Sequence, residues 1–177
     1  MYKKLFLYAM FVACAFLTSC GKEKVIFEKD YTLKNDAWTY ADTLNFAFDI
    51  TDTMAIYDIV LTVEHTPQYA MQNIYTNIYT KFPKGERIKQ TLSIDLADNT
   101  GTWQGKCSGS SCDFNIKIQE NAFFNILGPH VITLEQFMRV ESLAGIKNIG
   151  LKIVDMGKKR DLNAEKNQGN QHTKKKK

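Results

Sequence analysis

The fold class is decided by LNFAFDI, residues Leu44 to Ile50, in which large apolar residues alternate with small or polar ones. A period of two residues is typical of a β-strand with one buried and one solvated face. Six more short stretches rich in Ile, Val, Tyr and Thr follow, with the same period in most of them, at residues 56–63, 74–82, 92–96, 114–118, 130–138 and 149–154. The sequence therefore predicts an all-β fold, an antiparallel β-sandwich of jelly-roll or immunoglobulin-like type.

Turn-forming residues separate the predicted strands, for example at residues 83–85 and 98–101. Helix is scarce, and only residues 121–127 and 140–145 are predicted to form one or two helical turns. The segment 22–40 is expected to wrap against the sandwich, with its apolar anchors at Val25, Phe27 and Trp38.

The composition suits one globular domain, since 44% of the 177 residues are hydrophobic and 12% are aromatic. The formal net charge of +4 is unevenly distributed. Residues 158–177 carry eight basic and two acidic side chains, whereas residues 20–157 carry 13 basic and 17 acidic ones. Phosphate contacts require clustered Lys and Arg, so we expect no nucleic-acid binding by this acidic body.

The N-terminus has the features of an export signal. A basic start at residues 3–4 precedes an uncharged apolar run over residues 5–17, which is too short to span a bilayer comfortably. The run ends in LTSC at residues 17–20, which resembles a bacterial lipobox, where the cysteine is acylated and becomes the first mature residue. The sequence predicts a lipoprotein signal peptide over residues 1–19 and a lipid anchor on Cys20.

Residues 20–157 are assigned to the lipid-anchored β-sandwich domain, and residues 158–177 to a disordered basic tail. The tail lacks apolar periodicity and is rich in Lys, Asn and Gln. Two interpretations of the tail stay open: a cationic arm that touches anionic lipid headgroups, or a solvated appendage without a role.

Two cysteines remain for the folded body, Cys107 and Cys112, because Cys14 leaves with the signal peptide and Cys20 is acylated. They flank SGSS at residues 108–111, a turn-rich tetrapeptide. In an oxidising periplasm this pair is predicted to form a disulfide that fixes a hairpin tip. A redox or metal pair is disfavoured, because the spacing is not Cys-x-x-Cys and no third ligand lies nearby in the sequence.

Several stretches, taken in their order along the chain, carry a resemblance to a known family. They are the lipobox at Cys20, WTY at 38–40 with LNFAF at 44–48, YDIVLTV at 57–63, GTWQG at 101–105, GPHVITLEQFMR at 128–139 and LAGIKNIGL at 143–151. Together they resemble the family of the gliding-motility lipoprotein GldH, from the lipobox to about Val154.

The resemblance implies an outer-membrane lipoprotein that is required for gliding motility and is a non-catalytic component associated with the type IX secretion machinery. Its partners would be the membrane, through the lipid anchor, and other gliding or secretion envelope proteins. Relatives in bacteria that do not glide imply a wider envelope role. Cys20 is the one functional position that transfers, as the acylation site, and no cofactor is implied.

The residues after the anchor bear on which face of the membrane the protein occupies. In this bacterial group, lipoproteins exposed on the cell surface tend to carry an acidic cluster directly after the acylated cysteine. Here a single Glu23 lies between two lysines. We therefore expect the periplasmic face of the outer membrane.

The sequence shows no catalytic or metal-binding pattern. His65, His130 and His172 lack metal-ligand spacing and are expected to be structural or solvent-facing. Residues 95–101 supply oxygen ligands near a glycine, but their spacing does not fit a calcium loop, and Asp and Asn are common in hairpin turns. We expect neither an enzyme nor a metal protein.

Glycan binding is the alternative function, because aromatic side chains stack on sugars in many β-sandwich modules. Trp103 is the candidate glycan contact, since its place in the turn-rich stretch 101–109 makes it the better candidate for exposure; the sequence leaves open which way its side chain points. Trp38 and most of the tyrosines are assigned to the core.

Two tripeptides, DTL at residues 42–44 and DTM at residues 52–54, resemble the Asp-Ser/Thr-apolar signal for O-glycosylation of exported proteins in these bacteria. Thr43 and Thr53 are therefore candidate modification sites.

Overall fold

The computed structural model of the chain describes residues 23–162. Eleven strands and one short 3-10 helix make up this part of the molecule. In chain order they are β1 (Lys24–Thr32), the 3-10 helix (Lys34–Asp36), β2 (Ala37–Thr39), β3 (Leu44–Ile50), β4 (Ala55–His65), β5 (Asn73–Lys81), β6 (Arg87–Asp95), β7 (Lys106–Ser108), β8 (Ser111–Ala122), β9 (Gly128–Gln136), β10 (Ser142–Ala144) and β11 (Ile146–Lys159).

Two antiparallel sheets face each other. The first has the strand order β1-β11-β4-β8-β7, and the second has the order β3-β9-β5-β6, while β10 and β2 form a small separate pair. Strands distant in sequence are neighbours, such as β1 beside β11 and β3 beside β9, as in a jelly-roll built from two Greek keys. The predicted antiparallel β-sandwich is confirmed, and this strand order assigns it to the jelly-roll type.

The core lies between the inner faces of the two sheets. Strand β3 shows the predicted alternation without a break, because Leu44, Phe46, Phe48 and Ile50 are buried while the residues between them are exposed. Each fully buried Phe or Ile of this kind stabilises the fold by about 1.5–3 kcal/mol relative to an exposed position. The inner face of β3 therefore holds the second sheet against the first.

The segment before β3 forms more regular structure than the sequence predicts. Residues 24–32 form β1, an edge strand paired with β11, rather than a loose wrapping segment. Phe27 packs on Phe48 with ring centroids 5.5 Å apart, and Trp38 is buried, but Val25 is exposed. A register shift between Val25 and Phe27 turns Val25 outward, so its prediction as an anchor is wrong.

Two other local predictions are also corrected. Residues 121–127 and 140–145 form no helix: β8 ends at Ala122 within the first segment, and in the second β10 pairs with β2, with Leu143 opposite Trp38. Strand β11 runs to Lys159, which pairs with Ala55, so the first two lysines assigned to the tail belong to the sandwich.

Cys20, the signal peptide and residues 163–177 lie outside the described residues. Among residues 23–162 there is no helix with the length and hydrophobicity of a membrane span.

Candidate functional site

An apolar groove of about 920 Å³ lies at one end of the second sheet. Aromatic, methionine and valine side chains form most of its lining: Tyr40, Met71, Tyr75, Phe137, Met138 and Val140, together with Thr91 and Arg139. Four of these side chains are strongly exposed, with Tyr40 at 53%, Tyr75 at 46%, Phe137 at 55% and Val140 at 39%. Clustered exposure of large apolar side chains marks interaction sites on soluble domains.

Backbone hydrogen bonds fix the two central aromatic residues of this groove. Tyr75 belongs to β5, and Phe137 follows β9 directly. The Phe137 N–H donates to the Tyr75 carbonyl at 2.7 Å, which extends the β5–β9 pairing by one residue. Their side chains therefore project from adjacent backbones on the same outer face of the sheet.

The loop after β9 is held in place by Gln136, whose buried side chain lies beneath it. Its Nε2 donates to the carbonyls of Val140 and Glu141 at 3.1 and 3.2 Å, and its Oε1 accepts the Met138 N–H at 2.9 Å. One amide thus organises the loop that carries Phe137, Met138, Arg139 and Val140. The groove wall is pre-formed rather than assembled on binding.

Tyr40 is positioned by a tight turn on the other side of the groove. The Asp42 carboxylate accepts hydrogen bonds from the backbone N–H and the hydroxyl of Thr39, at 2.8 and 2.7 Å. The Tyr40 hydroxyl donates to the Met138 carbonyl at 2.6 Å, and the Tyr40 N–H donates to the Glu141 carbonyl at 3.1 Å. These contacts join the β2–β3 turn to the loop after β9.

Three cations border the aromatic surface. The Arg87 guanidinium lies 4.0 Å from the centroid of the Tyr79 ring, and Lys89 Nζ lies 5.6 Å from that of Phe137, both within cation–π range. Arg139 lines the groove itself. None of these three cations is in a salt bridge within the described part of the chain. Glu141 is the acidic residue nearest to Arg139 in sequence.

Cys107 and Cys112 form a disulfide across the β7–β8 hairpin, where the two residues are directly paired. The Cys112 side chain is fully buried, whereas Cys107 is exposed. The bridge therefore joins the short β7 to the core of the first sheet.

Trp103 packs against the body of the sandwich and is not a fully exposed platform. Its ring packs edge-on against His65 with centroids 4.6 Å apart, and its indole N–H donates to the Pro67 carbonyl at 3.2 Å. The side chain is half-buried against the hydrophobic core. The turn around it, residues 97–103, folds back onto the sandwich and so brings the ring inward.

Thr43 and Thr53 both lie in loops that precede a strand, β3 and β4 respectively. Thr43 is exposed and Thr53 is half-exposed. The preceding aspartates serve local structure, since Asp42 stabilises the Thr39 turn and Asp52 accepts the Met54 N–H at 2.7 Å and pairs with Lys159.

His65 and His130 are buried among aromatic rings. In each, Nδ1 lies 2.9 Å from a backbone carbonyl, that of Thr66 or Gly128. Since a carbonyl can only accept, Nδ1 carries the proton in both. His65 and His130 therefore have structural roles, whereas His172 lies outside the described residues.

The turn at residues 98–102 is built around the Asp98 carboxylate. Its Oδ1 accepts hydrogen bonds from the hydroxyl and N–H of Thr100 and the N–H of Thr102, at 2.7, 2.8 and 2.9 Å. The hydroxyl of Thr100 is the main cause that lowers the pKa of Asp98. Across residues 23–162, no three His, Cys, Asp or Glu side chains cluster closely enough to hold a metal.

The groove is the feature that sequence reasoning missed. Its walls come from four separate parts of the chain, at residue 40, residues 71–75, residue 91 and residues 137–140. The sequence predicts most tyrosines to lie in the core, and it does not distinguish Tyr75 from the rest. Two stretches that carry the family resemblance, 38–40 and 128–139, supply Tyr40, Phe137, Met138 and Arg139. The closeness of these residues to Tyr75 follows only from the pairing of β5 with β9.

The strand order and this surface define a jelly-roll domain with an exposed, pre-formed apolar groove. A family model described as GldH lipoprotein matches residues 25–153. The chain belongs to the GldH lipoprotein family.

Two curated relatives bear the family name. The chain is 27% identical over 143 residues to "Gliding motility lipoprotein GldH homolog" of Christiangramia forsetii, covering 77% of this chain and 86% of the relative. It is 23% identical to "Gliding motility lipoprotein GldH" of Flavobacterium johnsoniae, covering 81% and 92% of the two chains.

Solved structures share less with the chain. The VP2 subviral particle of infectious bursal disease virus matches with a TM-score of 0.40 at 16% identity, over 78% of this chain and 34% of that one. A family 35 carbohydrate-binding module from Clostridium thermocellum matches with a TM-score of 0.34 at 13% identity, over 75% and 97%. Likeness at these scores supports no statement about a ligand.

Proposed function

We propose that this chain is an outer-membrane lipoprotein, anchored through acylated Cys20 on the periplasmic face, that serves gliding motility as a non-catalytic binding component of the type IX secretion machinery. Membership of the GldH lipoprotein family, the names of the two curated relatives and the lipobox at residues 17–20 support this proposal. The lipid sets the location of the protein, and the sandwich carries the binding surface.

The observation that carries the binding role is the pre-formed apolar groove with Tyr75 and Phe137 at its centre. Aromatic residues and Met are enriched where protein interfaces are most deeply buried, and Met adapts its shape to irregular partners. The groove holds two methionines, Met71 and Met138, beside its three aromatic rings. Its chemistry suits apolar side chains of a partner polypeptide.

The charges around the groove specify the partner further. Arg139 lines the groove and Lys89 lies over its Phe137 ring, and neither is in a salt bridge within residues 23–162. A partner segment that places carboxylates next to its apolar anchors would satisfy them and gain specificity from complementary charge. We therefore assign the groove to an acidic-apolar segment of an envelope protein.

Glycan binding has less support from the same surface. The indole of Trp103 is occupied by His65 and the Pro67 carbonyl. A sugar needs several polar groups to bind its hydroxyls, yet the groove offers Thr91, Arg139 and the Tyr75 hydroxyl, while the Tyr40 hydroxyl already donates to Met138.

Substitution of Cys20 in the native host tests the anchoring and the function together. We expect the Cys20→Ala protein to be lost from the membrane fraction, with colony spreading and type IX-dependent secretion both reduced to the level of a gene deletion. Cys14→Ala is the matched control, since it changes a cysteine that leaves with the signal peptide. A Cys20→Ala protein that is absent from the membrane yet supports normal spreading and secretion would overturn the proposal.

A further inference from the structure

The two long sides of the sandwich differ in how well they are closed. On the β1–β3 side, Tyr31 packs edge-on against Phe46 with centroids 5.2 Å apart, and its hydroxyl donates to the Asn45 carbonyl at 2.6 Å. On the opposite side, β6 and β8 face each other across a cleft that contains cavities of about 420 and 160 Å³. The sandwich is therefore closed along one side and open along the other.

Apolar side chains that point toward the interior are left partly exposed on the open side. On β6, Ile94 is fully buried and Leu92 is half-buried, but Ile88, which lies on the same strand face, is 42% exposed. Across the cleft, Ile116 and Ile118 of β8 are only half-buried. These side chains face inward without a layer to cover them, so the open side has the composition of an interface.

The backbone of β6 is ready to accept another strand. All nine of its residues pair with β5 in an unbroken register, and β6 is the last strand of its sheet. The stretch RIKQTLSID contains neither proline nor glycine. An edge strand of this length, with no bulge, leaves a row of unpaired N–H and C=O groups along its outer side.

The charges of β6 fit a second copy of the same strand. We propose that two copies of this chain pair antiparallel through β6, about a two-fold axis at Thr91, the midpoint of the strand. Arg87 of each copy then lies opposite Asp95 of the other, and Lys89 lies opposite Ser93. Directly opposed charges of unlike sign stabilise a strand pair, whereas like charges destabilise it.

The inner face of the strand fits the same arrangement. With the axis at Thr91, Ile88 lies opposite Ile94 of the second copy, and Gln90 lies opposite Leu92. The axis is perpendicular to the sheet, so both first sheets lie on the same side and their β8 edges approach each other. Ile116 and Ile118 of the two copies then cover the open clefts.

Little of this cover is expected from the basic tail. Residues 163–177 contain a single apolar side chain, that of Ala164, and the signal peptide is expected to be removed. Anchoring in one membrane favours pairing of two copies, since it raises their effective concentration. The pairing also places both Phe137 grooves on one continuous outer face, where they can bind two segments of a partner together.

Cysteine crosslinking in native membranes tests the axis directly. We expect full-length Thr91→Cys protein to form a crosslinked dimer with a short bismaleimide, because the two thiols lie across the axis. Ser93→Cys is the matched control and should stay monomeric, since two copies of position 93 lie four residues apart along the strands, roughly 14 Å. Coexpressed Lys89→Cys and Ser93→Cys proteins should crosslink to each other. A monomeric Thr91→Cys protein, or equal crosslinking of Ser93→Cys alone, would overturn the proposal.

Charge reversal provides a second test that does not depend on a crosslinker. Asp95→Lys places a lysine opposite Arg87 and should abolish the dimer, whereas the double variant Arg87→Asp with Asp95→Lys should restore it. Melting temperatures show that each variant is folded. Dimers that persist in folded Asp95→Lys, or fail to return in the folded double variant, would contradict pairing about Thr91. Spreading and secretion are not the readout here, so failure of the pairing leaves the proposed function to its own test.

Discussion

Lys117 Nζ lies 2.7 Å from Oδ2 of Asp58, a carboxylate that is almost completely buried on β4. The second oxygen of Asp58 accepts the backbone N–H of Asn121 at 2.9 Å. The contacts join β4 to the far end of β8, where the register between these strands shifts. Asp58 therefore substitutes for backbone pairing that the irregular register leaves incomplete.

The pH dependence of stability follows from this pair. Burial raises the pKa of Asp58, but the hydrogen bonds from Lys117 and Asn121 outweigh it, so the pKa is lower than the ordinary 3.8. A lowered pKa in the folded state stabilises the protein above the unfolded pKa, and that contribution is lost as the pH falls below about 4. We expect Asp58→Asn to lose less free energy of unfolding between pH 7 and pH 3 than the unsubstituted protein, measured by urea unfolding. Asp52, Glu64 and Asp98 also have lowered pKa values, so part of the dependence should remain.

If the free energy of unfolding of the two proteins changed equally between pH 7 and pH 3, Asp58 would have the same pKa in the folded and the unfolded state, and this prediction would be wrong. Lys117→Met provides the complementary variant, because it leaves the buried carboxylate without its cation. It should be less stable than the unsubstituted protein at pH 7 and should recover part of the difference at pH 3.

Gly105 should not tolerate a side chain. Its φ is +85°, and a Cβ atom there would lie 2.2 Å from the Asp113 carbonyl oxygen, a backbone atom that cannot move aside. Gly105→Ala should therefore destabilise the protein by about 3 kcal/mol or more, from backbone strain and overpacking together. Gly109→Ala is the control, since its φ is also positive, at +59°, but no atom lies within 4 Å. Gly109→Ala should lower the free energy of unfolding by about 1 kcal/mol, measured by denaturant unfolding. Equal losses of unfolding free energy in the two variants would contradict the predicted clash at Gly105.

Trp103 should respond as a packing residue. Trp103→Ala removes the contact with His65 and the hydrogen bond to Pro67, so the melting temperature should fall, and Trp103→Phe should recover part of the loss. Soluble envelope glycans should leave the tryptophan emission of the unsubstituted protein unchanged. A saturable emission change that Trp103→Phe abolishes would instead restore the glycan hypothesis.

Arg139 tests the acidic chemistry assigned to the partner. Arg139→Glu should reduce colony spreading and secretion at unchanged membrane levels, because it opposes a carboxylate in the groove with a like charge. Arg139→Lys keeps the charge and should retain most activity. Full activity of Arg139→Glu would contradict the proposal that the partner places a carboxylate beside Arg139.

The strands of the sandwich were predictable where one face is buried and the other is wet. LNFAFDI at residues 44–50 is an example, since every second side chain is buried. The edge strand β1 was not, because its sequence KVIFEKDYT alternates poorly and a bulge after Val25 changes the register. Short β10 was also missed, since it is stabilised by pairing with Trp38 rather than by its own propensity.

The groove could not be predicted, for a related reason. Phe137 and Tyr75 become neighbours only through the β5–β9 pairing, and no local pattern distinguishes an exposed Tyr75 from a buried Tyr57. Trp103 shows the converse, since a turn-rich sequence suggested exposure while tertiary contacts with His65 turn the ring inward. Burial of single aromatic residues depends on the fold as a whole.

The most direct test of the central claim compares two double variants in the native host at equal membrane levels. Tyr75→Ser with Phe137→Ser removes the centre of the groove, and Val25→Ser with Leu127→Ser removes side chains of similar exposure outside it, 49% and 55%. The account predicts that the groove variant loses both colony spreading and type IX-dependent secretion, while the control variant keeps both. Normal spreading and secretion by the groove variant would contradict the claim that the protein acts by binding a partner there.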